Sequence, residues 1–215
     1  MMKLAIIDFS QEDDVCSRKL VGSFIDGLYE IGSDYNVFKI EELNILPCNE
    51  CTKDIHFEYT NKCRCDDDMN KIYPQLKDYP NWVFVVPMVK SYTVTYLKNF
   101  LDRLEPMFQP LINMSNLPEF NIPQVTNNGV ISLIATATSN NFENALVVEE
   151  ELSSVSTLFS KNYAGSLLAN NYEDLIDAKD DNPRLKSILT SVKRAGKEIS
   201  TKNIFSVDTI TNFSK

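Results

Sequence analysis

Five short apolar runs, each followed by a stretch whose apolar residues recur at helical spacing, organise this chain from end to end. A strand that reads as a near-continuous apolar run is buried on both faces, and an intervening helix supplies the crossover that parallel pairing requires. "KLAIID" opens the series, and in the helix after it Leu20, Phe24 and Leu28 stack beside Val21, Ile25 and Tyr29. "YNVFKIE" is the second strand. Asp66 to Asp68 then supply a capping carboxylate and favourable charge for a helix over "DDMNKIYPQLKDY", with Pro74 placed to bend it. The strand "NWVFVVP" follows directly. The next helix, "VTYLKNFLDRLEPMF", sets Leu97, Phe100, Leu101 and Leu104 on one face, and Pro106 stops it. "GVISLIATA" is the fourth strand, "FENALVVEEELSSVSTLFSKNY" a long helix and "AGSLLAN" the fifth strand. A final helix, "NPRLKSILTSVKRAGKEIS", turns Leu185, Ile188, Leu189, Val192 and Ile199 inward.

Crossovers between parallel strands are right-handed, which restricts the topology to a doubly wound sheet. The expected fold is α/β: a five-stranded parallel sheet of order 2-1-3-4-5 with helices on both faces, the flavodoxin-like arrangement. The 215 residues make one domain, since a chain of this size buries roughly 70% of its unfolded surface. A cysteine-bearing loop at 46–66 and a polar, proline-bearing loop at 109–128 interrupt the pattern. A connection as long as the second marks a functional or interface segment. In doubly wound sheets ligands sit beyond the carboxyl ends of the strands, where the strand order reverses. The segments to inspect are therefore 8–17, 87–96 and 135–141.

A net charge of −9 opposes nucleic-acid binding, which depends on clustered Lys and Arg releasing phosphate counterions. No apolar run approaches the roughly 20 residues needed to cross a bilayer. The opening "MMKLAIIDFSQEDD" runs into acidic residues without a small-residue cleavage site, so neither membrane insertion nor secretion is expected, and the protein is assigned to the cytoplasm. In that compartment the five cysteines are thiols, metal ligands or redox groups in preference to a disulfide framework. The single histidine, His56, offers no Ser-His-Asp logic, and no catalytic residue is assigned.

Two segments and the order of elements carry a resemblance to a known family. "PCNECTKDIHFEYTNKCRCDDDM", the helix "LKNFLDR" and the order of elements through the fourth strand resemble the NADPH-dependent FMN reductases and their iron-sulfur flavoprotein branch. The resemblance implies an NAD(P)H-dependent, FMN-binding oxidoreductase that passes hydride from a nicotinamide to flavin N5 and on to an unknown acceptor. It also implies a homodimer, with 109–128 as a candidate contact.

In that family the first strand ends in a loop resembling N-G-S-P-R-x-x-G-N-T, which holds the flavin phosphate at a helix N-terminus. Here the stretch is "DFSQEDDVCS": Ser10 and Ser17 keep the hydroxyls, Phe9 and Val15 replace glycines, and Glu12 replaces the arginine. Asp13 and Asp14 add negative charge, and a like-charged pair 4 Å apart costs roughly 4 kcal/mol at an effective dielectric of about 20. The third-strand motif resembles S-P-V-Y-F-G-S, so Pro87, Met88, Val89 and Lys90 fall where the flavin ring is held. Val89 and Lys90 replace the aromatic pair and Ser91 a glycine, while Tyr92 lies close enough to substitute and Lys90 offers a charge to the reduced ring.

The iron-sulfur branch uses four close cysteines, and Cys48, Cys51 and Cys63 match three of them while Asp54 stands at the other. Cys65 restores a set of four able to hold a [4Fe-4S] cluster or zinc, with His56 as an alternative ligand. The residues alone favour free thiols or a disulfide pair in a flexible loop over that metal site. Two further readings stand beside the reductase: a cofactor-less paralogue with a binding or regulatory role, and a cysteine-cluster metal or redox-sensing protein.

Overall fold

The computed structural model describes residues 2–50, 63, 65–88, 91–107, 129–138, 142–170, 175 and 181–214, with the backbone alone at 91 and 92. The elements in chain order are β1 (Lys3–Asp8), α1 (Val15–Glu30), β2 (Asp34–Lys39), a 3-10 turn (Ile40–Glu42), α2 (Met69–Asp78), β3 (Asn81–Met88) and α3 (Ser91–Asp102). A second 3-10 turn (Glu105–Met107), β4 (Val130–Ala137), α4 (Phe142–Leu158), β5 (Asn162–Ala169), α5 (Pro183–Lys202) and α6 (Val207–Ser214) complete it. All strand pairs are parallel, in the order β2-β1-β3-β4-β5, as the alternation of runs requires. The loop at 109–128 lies outside the described residues.

Because successive side chains of a strand point to opposite faces, each apolar run feeds two cores. Ala5 and Ile7, Trp82, Phe84 and Val86, and Ile131 and Leu133 pack under α2, α3 and α4. Leu4 and Ile6, Val83 and Val85, and Ile134 pack under α1, α5 and α6. On that second face α1 and α5 meet through glycines: a Cβ on Gly27 would stand 2.0 Å from the Lys193 carbonyl oxygen, and one on Gly196 2.4 Å from that of Phe24. Backbone meets backbone there.

Several boundaries differ from the sequence expectation. β2 stops at Lys39, and Ile40 begins a 3-10 turn. α4 ends at Leu158 instead of running to Tyr163, because Ser160 takes a left-handed conformation (φ 53°) and the chain enters β5 at Asn162. Tyr29, aligned with the apolar stripe of α1, is 80% exposed. α6 was not anticipated; it covers β5, and the Phe205 N–H just before it donates to Ala164 O of that strand (3.3 Å).

Lys161, in the turn entering β5, is only 6% exposed. Its ammonium donates to Pro80 O and lies 4.6 Å from the centroid of Trp82. Burial disfavours the charged form and lowers its pKa from 10.5 to about 8. The folded value is below the unfolded one, so between pH 8 and 10.5 the unfolded chain binds more protons and stability rises with pH. Wild type should gain about 2 kcal/mol relative to Lys161→Met between pH 7 and 10 in urea titrations. Parallel pH profiles for the two proteins would refute the assignment.

Candidate functional site

The strand order reverses at β1, which lies between β2 and β3, so the loops after β1, β3 and β4 gather at one end of the sheet. Phe9 extends β1 by one residue, its N–H donating to Val85 O (2.9 Å). Its ring turns into the core, 6.4 Å from Phe84 and 5.9 Å from Phe100 between centroids. Phe9 therefore closes the core instead of filling the mouth between the loops. Val15, at the other replaced glycine, is 49% exposed.

The two serines expected to hold a phosphate are both engaged within the loop itself. Ser10 donates its N–H (2.9 Å) and its hydroxyl to Asp8 Oδ1. Burial pushes the Asp8 carboxyl above the ordinary carboxylate value, against those two bonds and the field of Lys39. Asp14 caps α1: Oδ1 accepts the Ser17 N–H (2.9 Å) and Oδ2 accepts the Ser17 hydroxyl (2.6 Å). A helix N-terminus is a ready anion site, and here a carboxylate of the chain occupies it. Glu12 and Asp13 are exposed beside it. Lys39 acts electrostatically on Asp8 and Glu12, but its ammonium pairs with Glu42 at 2.9 Å. A phosphate dianion would have to displace Asp14 and face the remaining carboxylates, so this loop does not fit the phosphate of FMN. The cap was legible in advance, since Asp with Ser three residues on is a helix-start signature.

Pro87 and Met88 end β3, both buried, in register with Thr136 and Ala137 of β4. Met88 points into the core beneath α2, α3 and α4. Val89 and Lys90 lie outside the described residues. The strand tips thus bring Ser10, Pro87 and Met88 to one end of the sheet, with Ser17 in the first turn of α1. A cleft of about 440 Å³ lies elsewhere, between the edge strand β2 and α2, lined by Phe38, Lys39, Lys71 and Gln75 among others.

The cysteine loop holds a different arrangement from the one expected. Among the described residues no three His, Cys, Asp or Glu side chains come together as a metal site, so Cys48, Cys63 and Cys65 form no ligand cluster; Cys51 and His56 lie outside those residues. Among the described residues, Cys16, Cys48, Cys63 and Cys65 form no disulfide bond. What organises the loop is Arg103, whose side chain is fully buried with that of Asp67. Arg103 Nη2 donates to Asp67 Oδ1 (2.9 Å), Nη1 to Asp67 Oδ2, and Nη1 also to Leu46 O (2.7 Å). The Leu46 and Met69 amides complete the carboxylate's partners at 2.9 and 3.1 Å, and the Tyr73 hydroxyl donates to Arg103 O. Asp67 thereby ties the loop after β2 to the ends of α2 and α3. Burial raises the Asp67 carboxyl, but the Arg103 bonds and the two amides outweigh it and hold it below the ordinary value. Burial likewise raises the Cys63 thiol, yet the Cys65 amide and the Arg103 guanidinium leave it lowered, while Cys65 is raised by burial.

The family model for NADPH-dependent FMN reductases matches residues 2–155. No curated protein sequence matches the chain. Among solved structures, an NAD(P)H:quinone oxidoreductase from Methanothermobacter marburgensis is similar at a TM-score of 0.64 and 14% identity, covering 92% of this chain and 98% of that one. A flavone reductase gives 0.62 and 13% over 94% of this chain, which spans 66% of the reductase's length. An FMN-dependent NADH-azoreductase from Bacillus anthracis str. Ames Ancestor, solved in complex with FMN, gives 0.57 and 12% over 94% of this chain and all of that one. At such identities the structural likeness is one of fold, whereas the family match runs unbroken from β1 into α4 and takes in each loop at the sheet's mouth. The chain belongs to the NADPH-dependent FMN reductase family.

Proposed function

We propose that the protein is an NAD(P)H-dependent oxidoreductase that works through a flavin seated at the carboxyl tips of β1, β3 and β4, with a small-molecule electron acceptor. The observation that carries this reading is the family match over residues 2–155, joined to a strand order that reverses at β1. Phe9 supports it by leaving the mouth for the core. The flavin supplies the redox chemistry, and the protein contributes orientation and electrostatics. A cytoplasmic homodimer completes the proposal; described cysteines that form no disulfide bond suit a reducing compartment, and family resemblance is the ground for the dimer.

The test is flavin uptake followed by turnover. Purified protein incubated with riboflavin or FMN and freed of excess should retain flavin absorbance, and that absorbance should bleach on anaerobic addition of NADPH or NADH. Protein that retains neither flavin and leaves the nicotinamide unoxidised would be a scaffold without the cofactor.

A further inference from the structure

We infer that the flavin this chain takes carries no phosphate: the loop after β1 rejects FMN's dianion and accepts the uncharged ribityl terminus of riboflavin. The inference rests on the flavin reading proposed above and concerns the loop at one end of that cofactor.

Three observations converge on it. The N-terminus of α1, where the dipole and free amides would draw a phosphate, is held by Asp14, which takes both the amide and the hydroxyl of Ser17. Ser17 is 1% exposed, so its hydroxyl has no second orientation toward solvent in which to serve another anion without losing this bond. Ser10, 8% exposed, gives both its donors to Asp8, itself 5% exposed. The loop therefore offers carboxylate oxygens where a phosphate-binding loop offers donors. Glu12 and Asp13 extend the same sign of charge toward solvent.

Among the described residues, the cations in reach do not reverse that balance. Lys39 acts on Asp8 and Glu12 from the end of β2 while its ammonium is paired with Glu42. Arg18 points from the exposed side of α1, and Lys19 is half-buried beside it. A phosphate brought to the loop meets like charge at short range, which is costly even at the surface of a protein. A hydroxyl meets the opposite situation. It is a donor, and the loop's carboxylates are acceptors, an ionised carboxylate having about four lone-pair sites. Hydrogen bonds to a carboxylate are the stronger, charge-assisted kind.

Fluorescence titration of the flavin-free full-length chain with riboflavin, FMN and lumiflavin, at low and high ionic strength, tests the inference. Riboflavin should bind at least about tenfold more tightly than FMN at low salt, and FMN alone should tighten as salt screens the repulsion. The double variant Glu12→Arg, Asp14→Ser keeps a capping oxygen and removes two negative charges. It should gain about tenfold or more for FMN and lose about threefold or more for riboflavin, because a carboxylate acceptor goes with Asp14, so the preference between the two inverts; whichever flavin it retains also serves as its folding control. FMN binding to wild type as tightly as riboflavin, or more tightly, overturns the inference and leaves the flavin reading standing. Failure of all three flavins, including lumiflavin, which has no ribityl chain to be rejected, overturns the flavin reading itself. If the variant does not fold, the wild-type ratio and its salt dependence still decide.

Discussion

Asp67→Ala should lower the unfolding free energy by about 3–5 kcal/mol, because it strands a buried guanidinium. Both side chains of the Arg103–Asp67 pair are inaccessible to solvent. Removing one member leaves the other charge in the interior with only part of its hydrogen bonding, and Arg103 would keep Leu46 O and the Cys63 sulfur but no carboxylate. Arg103→Ala should cost as much for the reciprocal reason. Replacing both by apolar residues, as in Asp67→Leu with Arg103→Met, should recover part of the loss but not all of it. The Leu46 and Met69 amides also bond to that carboxylate and would lose their acceptor. Urea titration of the four proteins measures this directly, and single variants within 1 kcal/mol of wild type would show that the pair does not hold the loop. The pH dependence has a definite sign. Asp67 is held below the ordinary carboxylate value, so its contribution is present above that value and is lost as pH falls toward the folded one. Asp67→Asn should accordingly flatten the acid limb of the stability profile.

Gly196→Val should destabilise the fold by about 3 kcal/mol or more, at the upper end of what overpacking costs. The Cβ would stand 2.4 Å from the Phe24 carbonyl oxygen and 3.3 Å from the Leu28 nitrogen, both backbone atoms that cannot rotate aside. Gly27 faces α5 from the α1 side of the same contact and should behave alike. The only relief is to part α1 from α5, and Leu20, Phe24, Leu28, Ile188 and Val192 pack in the core that joins them. Thermal unfolding followed by circular dichroism would show the effect as a lowered midpoint, whereas Gly22→Val, with nothing within 4 Å of its Cβ, should be tolerated much better. Equal midpoints for the variants at 196 and 22 would remove close helix approach as the explanation.

The sheet and its order could be read from the chain because parallel strands advertise themselves as unbroken apolar runs, and handed crossovers leave few ways to connect them. "DDM" and "LKNFLDR" carried the family resemblance, and the structure shows what they encode together. Asp67 and Arg103 are the two halves of one buried clamp, a scaffold role that neither motif reveals alone. The loops were harder. Ser10 and Ser17 sit at positions that suit a phosphate, yet their donors are taken by Asp8 and Asp14, and partner choice depends on backbone geometry that a string of letters does not contain. Of the cysteine quartet, Cys51 lies outside the described residues, and among those described no metal-ligating cluster forms, since spacing along a loop does not by itself fix whether thiols converge. Lys161 gave no signal at all: its burial follows from where α4 stops, and α4 stops at a left-handed Ser160 that propensity does not foresee.

The contact between Phe205 and β5 has a consequence for the protein's life in concentrated solution. A border strand offers a row of amides and carbonyls to any passing chain, and natural sheets need some device to blunt it. Here the peptide N–H of Phe205 takes Ala164 O, with α6 laid over the same strand. A foreign strand arriving along that margin has first to peel away Phe205 and α6, so this segment works as a stopper against lateral stacking of one molecule on the next.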